Sequence, residues 1–160
     1  RPIGMEHWNR PMHQRTGDTT RSIHKAYHMN FSTRDMARLG HLMLREGRWN
    51  GTQLLPPGWS RRITTPVTRW NEMNPASLRG GPFGYGFLWW IFDGPTATGP
   101  YQGAYSGFGA VGQYITVLPR LDLVVAHKTK PGEGRSVNRE QYLAFLDKVV
   151  AAHCGTRCGR

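Results

Sequence analysis

The chain is short of carboxylates, of cysteine and of long apolar runs, and each shortage closes off a class of protein. Ten Asp and Glu stand against 21 Lys and Arg, giving a formal charge of +11 and a sequence pI of about 10.5. Such a balance raises nucleic acid or another anionic surface as a partner. The basic residues are nevertheless spread along the chain, with Arg61-Arg62 the densest spot and no nucleic-acid module in sight. A solvated basic surface is therefore the expectation, and nucleic acid is not the expected partner. No run approaches the roughly 20 apolar residues that cross a bilayer, so no membrane span is expected.

Cysteine is confined to Cys154 and Cys158. With His153 they offer three metal ligands and no fourth nearby, which reads as a frayed tail rather than a metal centre. His24 and His28 have helical i, i+4 spacing, but no Glu stands between them in the H-E-x-x-H manner. No cofactor or metal is called for. Ser60 and Ser106 lack the flanking glycines of a G-x-S-x-G elbow, so an α/β-hydrolase triad has no support.

What the chain does contain is concentrated in residues 104–129, AYSGFGAVGQYITVLPRLDLVVAHKT. Residues 107–112 match G-x-G-x-x-G, a fingerprint that holds a pyrophosphate only between a strand and a helix N-terminus. Here the following Gln113–Leu118 is rich in β-branched and aromatic residues and stops at Pro119. A hairpin fits better, with a turn at Pro119 to Asp122 and Leu123–His127 as the returning strand. The glycines then let a loop bend beside the sheet.

Periodicity supplies the rest. Residues 1–30 read as loop with one short helical turn, broken by Pro2, Pro11 and Gly17. Ser32 and Asp35 open a helix whose apolar face is Met36, Leu39, Met43 and Leu44 and whose stop is Gly47. Asn50-Gly51 signals a tight turn, and Pro56-Pro57 open a short second helix through Trp59 and Ile63. Residues 66–84 read as a long surface connection. Residues 85–92 are apolar on both alternating faces and read as one strand covered on both sides. Tyr142, Leu143, Leu146, Val149 and Val150 form the stripe of a C-terminal helix able to cover a sheet face. Trp89 and Trp90 read as core or groove packing rather than a sugar platform. The fold class is α+β, with an antiparallel sheet of three C-terminal strands and flanking helices.

The order of a polar triplet, a glycine turn, a strand ending in Pro, a turn with Asp and a Leu-Val-Val strand resembles the C-terminal part of the serine β-lactamase and penicillin-binding-protein superfamily. The nearest pattern is its class C-like branch of β-lactamase-related hydrolases. Residues 31–51, with Gln53-Leu54-Leu55-Pro56, are similar to the helix and turn before that branch's last strands, and Arg1-Pro2-Ile3-Gly4-Met5 to an earlier P-L-G-M segment. The resemblance implies acyl transfer on a small-molecule amide or ester by a Ser-x-x-Lys nucleophile, a Tyr-x-Asn-like second motif and a third motif on a sheet-edge strand.

Relatives carry the first two motifs upstream of the region matched here, so residues 1–160 are expected to be one partial domain. The missing N-terminal part of the same domain would be its first partner, and the chain alone is expected to be inactive. A start at Arg with no signal peptide agrees with a fragment. Family resemblance slightly favours a periplasmic or secreted setting. A literal Ser-x-x-Lys does occur at Ser22 to Lys25, where the family has a connecting loop, and it reads as a chance match. By position, Tyr105, Ser106 and Gly107 stand where relatives carry Lys-Thr-Gly or His-x-Gly, with Ala104-Tyr105-Ser106 as the one-residue alternative. Tyr105 and Ser106 are the candidate catalytic residues, a hydroxyl meeting a substrate carboxylate or carbonyl, and Gly107 the candidate substrate-binding residue. The competing expectation is that Tyr105 only packs at the sheet edge. Loss of the Lys or His argues against a true β-lactamase. His127-Lys128-Thr129 falls one strand too late. The alternative function is a noncatalytic basic module that contacts an anionic polymer or nucleic acid.

Overall fold

Along the chain a hairpin (β1, Gln14–Thr16; β2, Ala26–His28) precedes helix α1 (Thr33–Leu44), a miniature hairpin (β3, Arg48–Trp49; β4, Thr52–Gln53) and the short helix α2 (Trp59–Ile63). Five strands follow: β5 (Phe83–Tyr85), β6 (Trp90–Phe92), β7 (Tyr105–Gly109), β8 (Gln113–Leu118) and β9 (Leu123–His127). Helix α3 (Arg139–Cys154) comes after them. This computed structural model describes residues 2–20, 23–24, 26–130, 132 and 134–155. The five strands form one antiparallel meander in sequence order. Among the described residues no helix is long and apolar enough to cross a membrane.

The two long helices start where their capping residues stand. The Ser32 hydroxyl accepts from the Asp35 N–H at the head of α1, and at α3 Asn138 and Gln141 cap each other reciprocally. Past the end of α1, Gly47 at φ +80°, a left-handed conformation that glycine adopts without strain, donates its N–H back to the Leu42 carbonyl at 2.8 Å. Gly40 faces the sheet, and a Cβ there would lie 2.5 Å from a Val124 methyl, so the missing side chain lets α1 lie close on β9. Asn50 and Gly51, both at positive φ, close the β3–β4 hairpin as their dipeptide foretells.

The strand period of two divides the core into two layers. On one face Phe83, Phe92, Tyr114, Leu118 and Val125 pack against Tyr142, Leu146 and Val150 of α3. On the other Ile91, Tyr105 and Val117 pack against Met43 and Leu44 of α1, with Ile63 of α2 at the margin. Strand β8, between β7 and β9, is covered on both faces, and Thr116, Val117 and Leu118 are fully buried.

Several expectations need correction. The apolar run 85–92 is two strands joined by a tight connection. Gly86 passes so close to α2 that a Cβ would sit 2.7 Å from the Ile63 carbonyl, Leu88 takes φ +66°, and Phe87 and Leu88 are exposed. That split, together with β7, gives the expected antiparallel sheet five strands rather than three. The glycines at 107 and 109 lie within β7, and the bend comes later, at Val111 and Gly112. Residues 1–30 include the β1–β2 hairpin, and the 66–84 connection runs into β5.

The N-terminal segment is tied to α1 by one carboxylate. Asp35, fully buried, accepts from the backbone N–H of Glu6 at 2.9 Å and of His7 at 3.1 Å and pairs with Arg38 at 3.1 Å. Burial pushes its pKa up, but these donors outweigh burial and hold it below the usual carboxylate value. A group with a lowered folded pKa stabilises the fold above its unfolded pKa, and that contribution disappears as pH falls through the folded one. Wild type should therefore melt well above Asp35→Asn at pH 7, with the gap closing as the carboxylate protonates below about pH 4. Thermal midpoints of both proteins across pH 2–7 check this; a gap independent of pH would remove the charge from the account.

Candidate functional site

Strand β7 is held on one side along its whole length and on the other for only part of it. All five residues pair with β8, from Tyr105 opposite Val117 to Gly109 opposite Gln113. Strand β6 pairs only with Tyr105 and Ser106. The Ala104 carbonyl accepts from the Phe92 N–H, so Ala104, and by alternation Ser106 and Phe108, turn their backbone groups toward β6. Since β6 has already ended, the Phe108 N–H and C=O lie on an open edge.

One face of that stretch also carries no side chain of its own. Gly107 and Gly109 stand on the α1 side, and a Cβ on Gly107 would meet only the Trp89 ring, at 3.6 Å. Trp89 stands edge-on against Tyr105, ring centroids 5.1 Å apart. The turn after β7 is anchored: the His127 ring N–H donates to the Gly112 carbonyl at 2.9 Å, and Gln113 donates to the Thr129 carbonyl at 2.9 Å.

The three candidate residues thus fall in different environments. Ser106 points to the α3 side, has no exposed surface, and shares a 2.7 Å hydrogen bond with the Thr116 hydroxyl. Thr116 in turn bonds the Tyr142 hydroxyl at 2.7 Å, and burial pushes that phenol up to about 12. Tyr105 points to the α1 side and is buried, its pKa raised by burial and then by the negative charge of Glu46. Gly107 brings its main chain to the open face. Ser22 and Lys25 lie outside the described residues, as does Cys158. Cys154 is buried on α3. Among the described residues no cluster of three or more His, Cys, Asp or Glu is placed to hold a metal.

Sequence reasoning missed Arg139. Its guanidinium lies 4.0 Å from the Trp90 ring centroid and 5.1 Å from that of Phe108, and no carboxylate pairs with it among the described residues. Position at the head of a C-terminal helix was the available signal, but nothing in the sequence tells which ring it meets.

No protein-family model matches this chain. An uncharacterized protein of Alkalihalophilus pseudofirmus is 33% identical over 104 residues, which are 60% of this chain and 28% of that protein. A solved structure described as a putative 6-aminohexanoate-dimer hydrolase from Bacillus anthracis superposes with a TM-score of 0.57 at 24% identity, over 81% of this chain and 30% of that one. The chain therefore spans less than a third of the length of either protein. The shared architecture is the C-terminal part of a β-lactamase-like α+β fold.

The buried hydroxyl chain gives a test of how β7 is held. Thr116→Val leaves the Ser106 and Tyr142 hydroxyls without their partner and should cost about 1–3 kcal/mol in urea denaturation. Ser106→Ala keeps the Thr116–Tyr142 bond and should cost less. A Thr116→Val midpoint equal to wild type would show that β7 does not depend on this chain.

Proposed function

We propose that this chain is part of a serine hydrolase that acts on an amide or ester through an acyl-enzyme, and that the open end of β7 is the wall against which the substrate lies. The observation that carries this reading is the coincidence of two glycines and an unpaired strand edge at one place. Main chain that is bare of side chains on one face and unpaired along one edge suits a substrate that adds as a further strand. A backbone N–H directed at the substrate carbonyl stabilises the oxyanion that forms when a serine attacks it. The similarity of fold to a putative hydrolase supports the class, and the sequence resemblance supports the serine mechanism.

In this proposal the nucleophile and its base come from a part of the protein that precedes these residues. The serine oxygen bonds to the carbonyl carbon, its proton passes through the base to the leaving amine or alcohol, and water then cleaves the acyl-enzyme. Gly107 supplies substrate-binding main chain. Ser106 positions the strand, its hydroxyl being committed to Thr116. Tyr105 packs below Trp89 and sets the floor beside the open strip.

The test uses a protein that carries this chain within its full length. Gly107→Val places methyl groups on the open strip and should lower kcat/KM for a p-nitrophenyl ester by about 100-fold, with the thermal midpoint little changed. Ser106→Ala should move the midpoint more than the turnover. The 160 residues alone should be silent toward the same ester. Unchanged turnover in Gly107→Val would sink the strand assignment. Turnover by the isolated chain that vanishes in Ser22→Ala would place the nucleophile inside it.

A further inference from the structure

A second concavity lies on the α1 side, two residues back along β7 from the glycine strip. It has a volume of about 450 Å³, within the range of small-molecule sites, and Met43, Leu44, Ile91 and Pro119 give it apolar walls. Tyr105 forms part of its lining and is only 5% exposed. The Tyr105 hydroxyl has no hydrogen-bond partner among the described residues. The one fully sealed side-chain polar atom left without a partner there is His13 Nε2, so the Tyr105 oxygen still reaches open space, and the space it reaches is this cavity.

Most other polar groups around the cavity are already committed. Thr64 donates to the Ser60 carbonyl at 2.9 Å and Thr65 to the Arg61 carbonyl at 2.8 Å. Arg69 and Asp93 pair at 2.7 Å. That leaves the Tyr105 hydroxyl, the Glu46 carboxylate and the Arg61 guanidinium, neither charge having an ion-pair partner among the described residues. Burial and the charge of Glu46 both raise the Tyr105 pKa, so the phenol keeps its proton and acts as a donor. Its ligand must offer an acceptor. The two unpaired charges of the lining, Glu46 and Arg61, offset each other and suit a neutral ligand; at the phenol itself the charge of Glu46 is the one felt, which disfavours a carboxylate there and favours a neutral carbonyl, and the same Glu46 carboxylate welcomes an N–H.

We infer that this cavity is a binding site for a small uncharged amide with an apolar substituent, its carbonyl accepting from Tyr105 and its N–H directed toward Glu46. The Thr64 and Thr65 hydroxyls are committed to backbone carbonyls and neither a serine nor a cysteine lines the cavity, so the proposal is of binding alone, and it stands whether or not the hydrolase reading does.

The experiment is titration of the protein that carries this chain within its full length with N-benzylacetamide, followed by protein NMR shifts and by the thermal midpoint. Phenylacetate and benzyl acetate serve as comparison probes. Saturable binding of the amide is expected, with the charged phenylacetate weakest. Tyr105→Phe should weaken the amide at least about tenfold and leave the ligand-free midpoint unchanged or higher, because the hydroxyl it removes is unpartnered in the free protein. Glu46→Gln should narrow the gap between phenylacetate and the amide. Absence of saturable amide binding at millimolar concentration would overturn the proposal, as would equal affinity in Tyr105→Phe. Esterase assays do not enter, so failure of this site and failure of the hydrolase reading remain separate results.

Discussion

Thr116 carries one hydroxyl in the middle of a strand covered on both faces, and the arrangement of β7, β8 and α3 depends on where that hydroxyl bonds. A polar group in such a place is costly unless paired, and the favourable arrangement is the one that joins Ser106, Thr116 and Tyr142 in a single chain. Tyr142 fixes the height of α3 on the sheet, and Ser106 fixes β7 against β8. A slip of one residue in β7 would turn Ser106 toward α1 and Tyr105 toward α3, breaking the chain and emptying the opposite layer. With the register set in this way, the two glycines land past the end of β6. The open edge is thus a consequence of buried hydrogen bonding in a neighbouring layer.

Charge does a similar job in the loops. The chain has few acids, and two of them are buried at points where irregular segments must be held. Asp35 gathers the backbone of Glu6 and His7, and Asp93 accepts from the N–H of Trp70 at 3.0 Å and of Gly94 at 2.9 Å while pairing with Arg69. A carboxylate that accepts several backbone donors replaces the ladder bonds that a loop lacks. Asp93 in this way fixes residues 69 and 70 of the 66–84 connection, while backbone bonds of Val67 and Thr68 to Tyr85 hold its start. Some cations share this duty, Arg38 and Arg69 on the two buried carboxylates and Arg79 on the Met73 carbonyl, but many do not: Arg45 meets Asp122 at the surface, and Arg34, Arg48, Arg61, Arg62 and Arg120 are exposed. Exposed cations of this kind contribute little to stability and much to solvation.

The parts of the fold legible in the sequence are those whose signals are local. The Ser32 cap, the Asn50-Gly51 turn, the β8–β9 hairpin with its Pro119 stop and the stripe on α3 all rest on neighbours within a few residues. The split of 85–92 was not legible, because its cause is a distant approach: carbonyls of Ile63 and Thr65 crowd Gly86, and Leu88 is held at positive φ. An apolar run with one glycine does not show where it will fold back. The candidate site was half legible for the same reason. The glycines and their place before a strand could be read, but which side chain of Tyr105-Ser106-Gly107 faces which layer depends on register, and register was fixed by Tyr142, 36 positions beyond Ser106.

The two faces of β7 therefore divide the work. Toward α3 the strand spends Ser106 and Phe108 on packing and on a sealed hydroxyl chain; toward α1 it presents Tyr105, then two glycines. A strand built for stability alone would carry β-branched residues at 107 and 109, since each glycine in a strand costs about 0.5–1 kcal/mol relative to a residue with a side chain. Only Gly109 is tightly placed, a Cβ there falling 3.0 Å from that of Gln113, whereas Gly107 has ordinary van der Waals room beside Trp89. Local sterics thus account for Gly109, while at Gly107 a Cβ by itself would be accommodated. At Gly107 the strand gives up that stability at a place where a Cβ alone would fit beside Trp89, and this is the ground on which its main chain is proposed to meet a substrate.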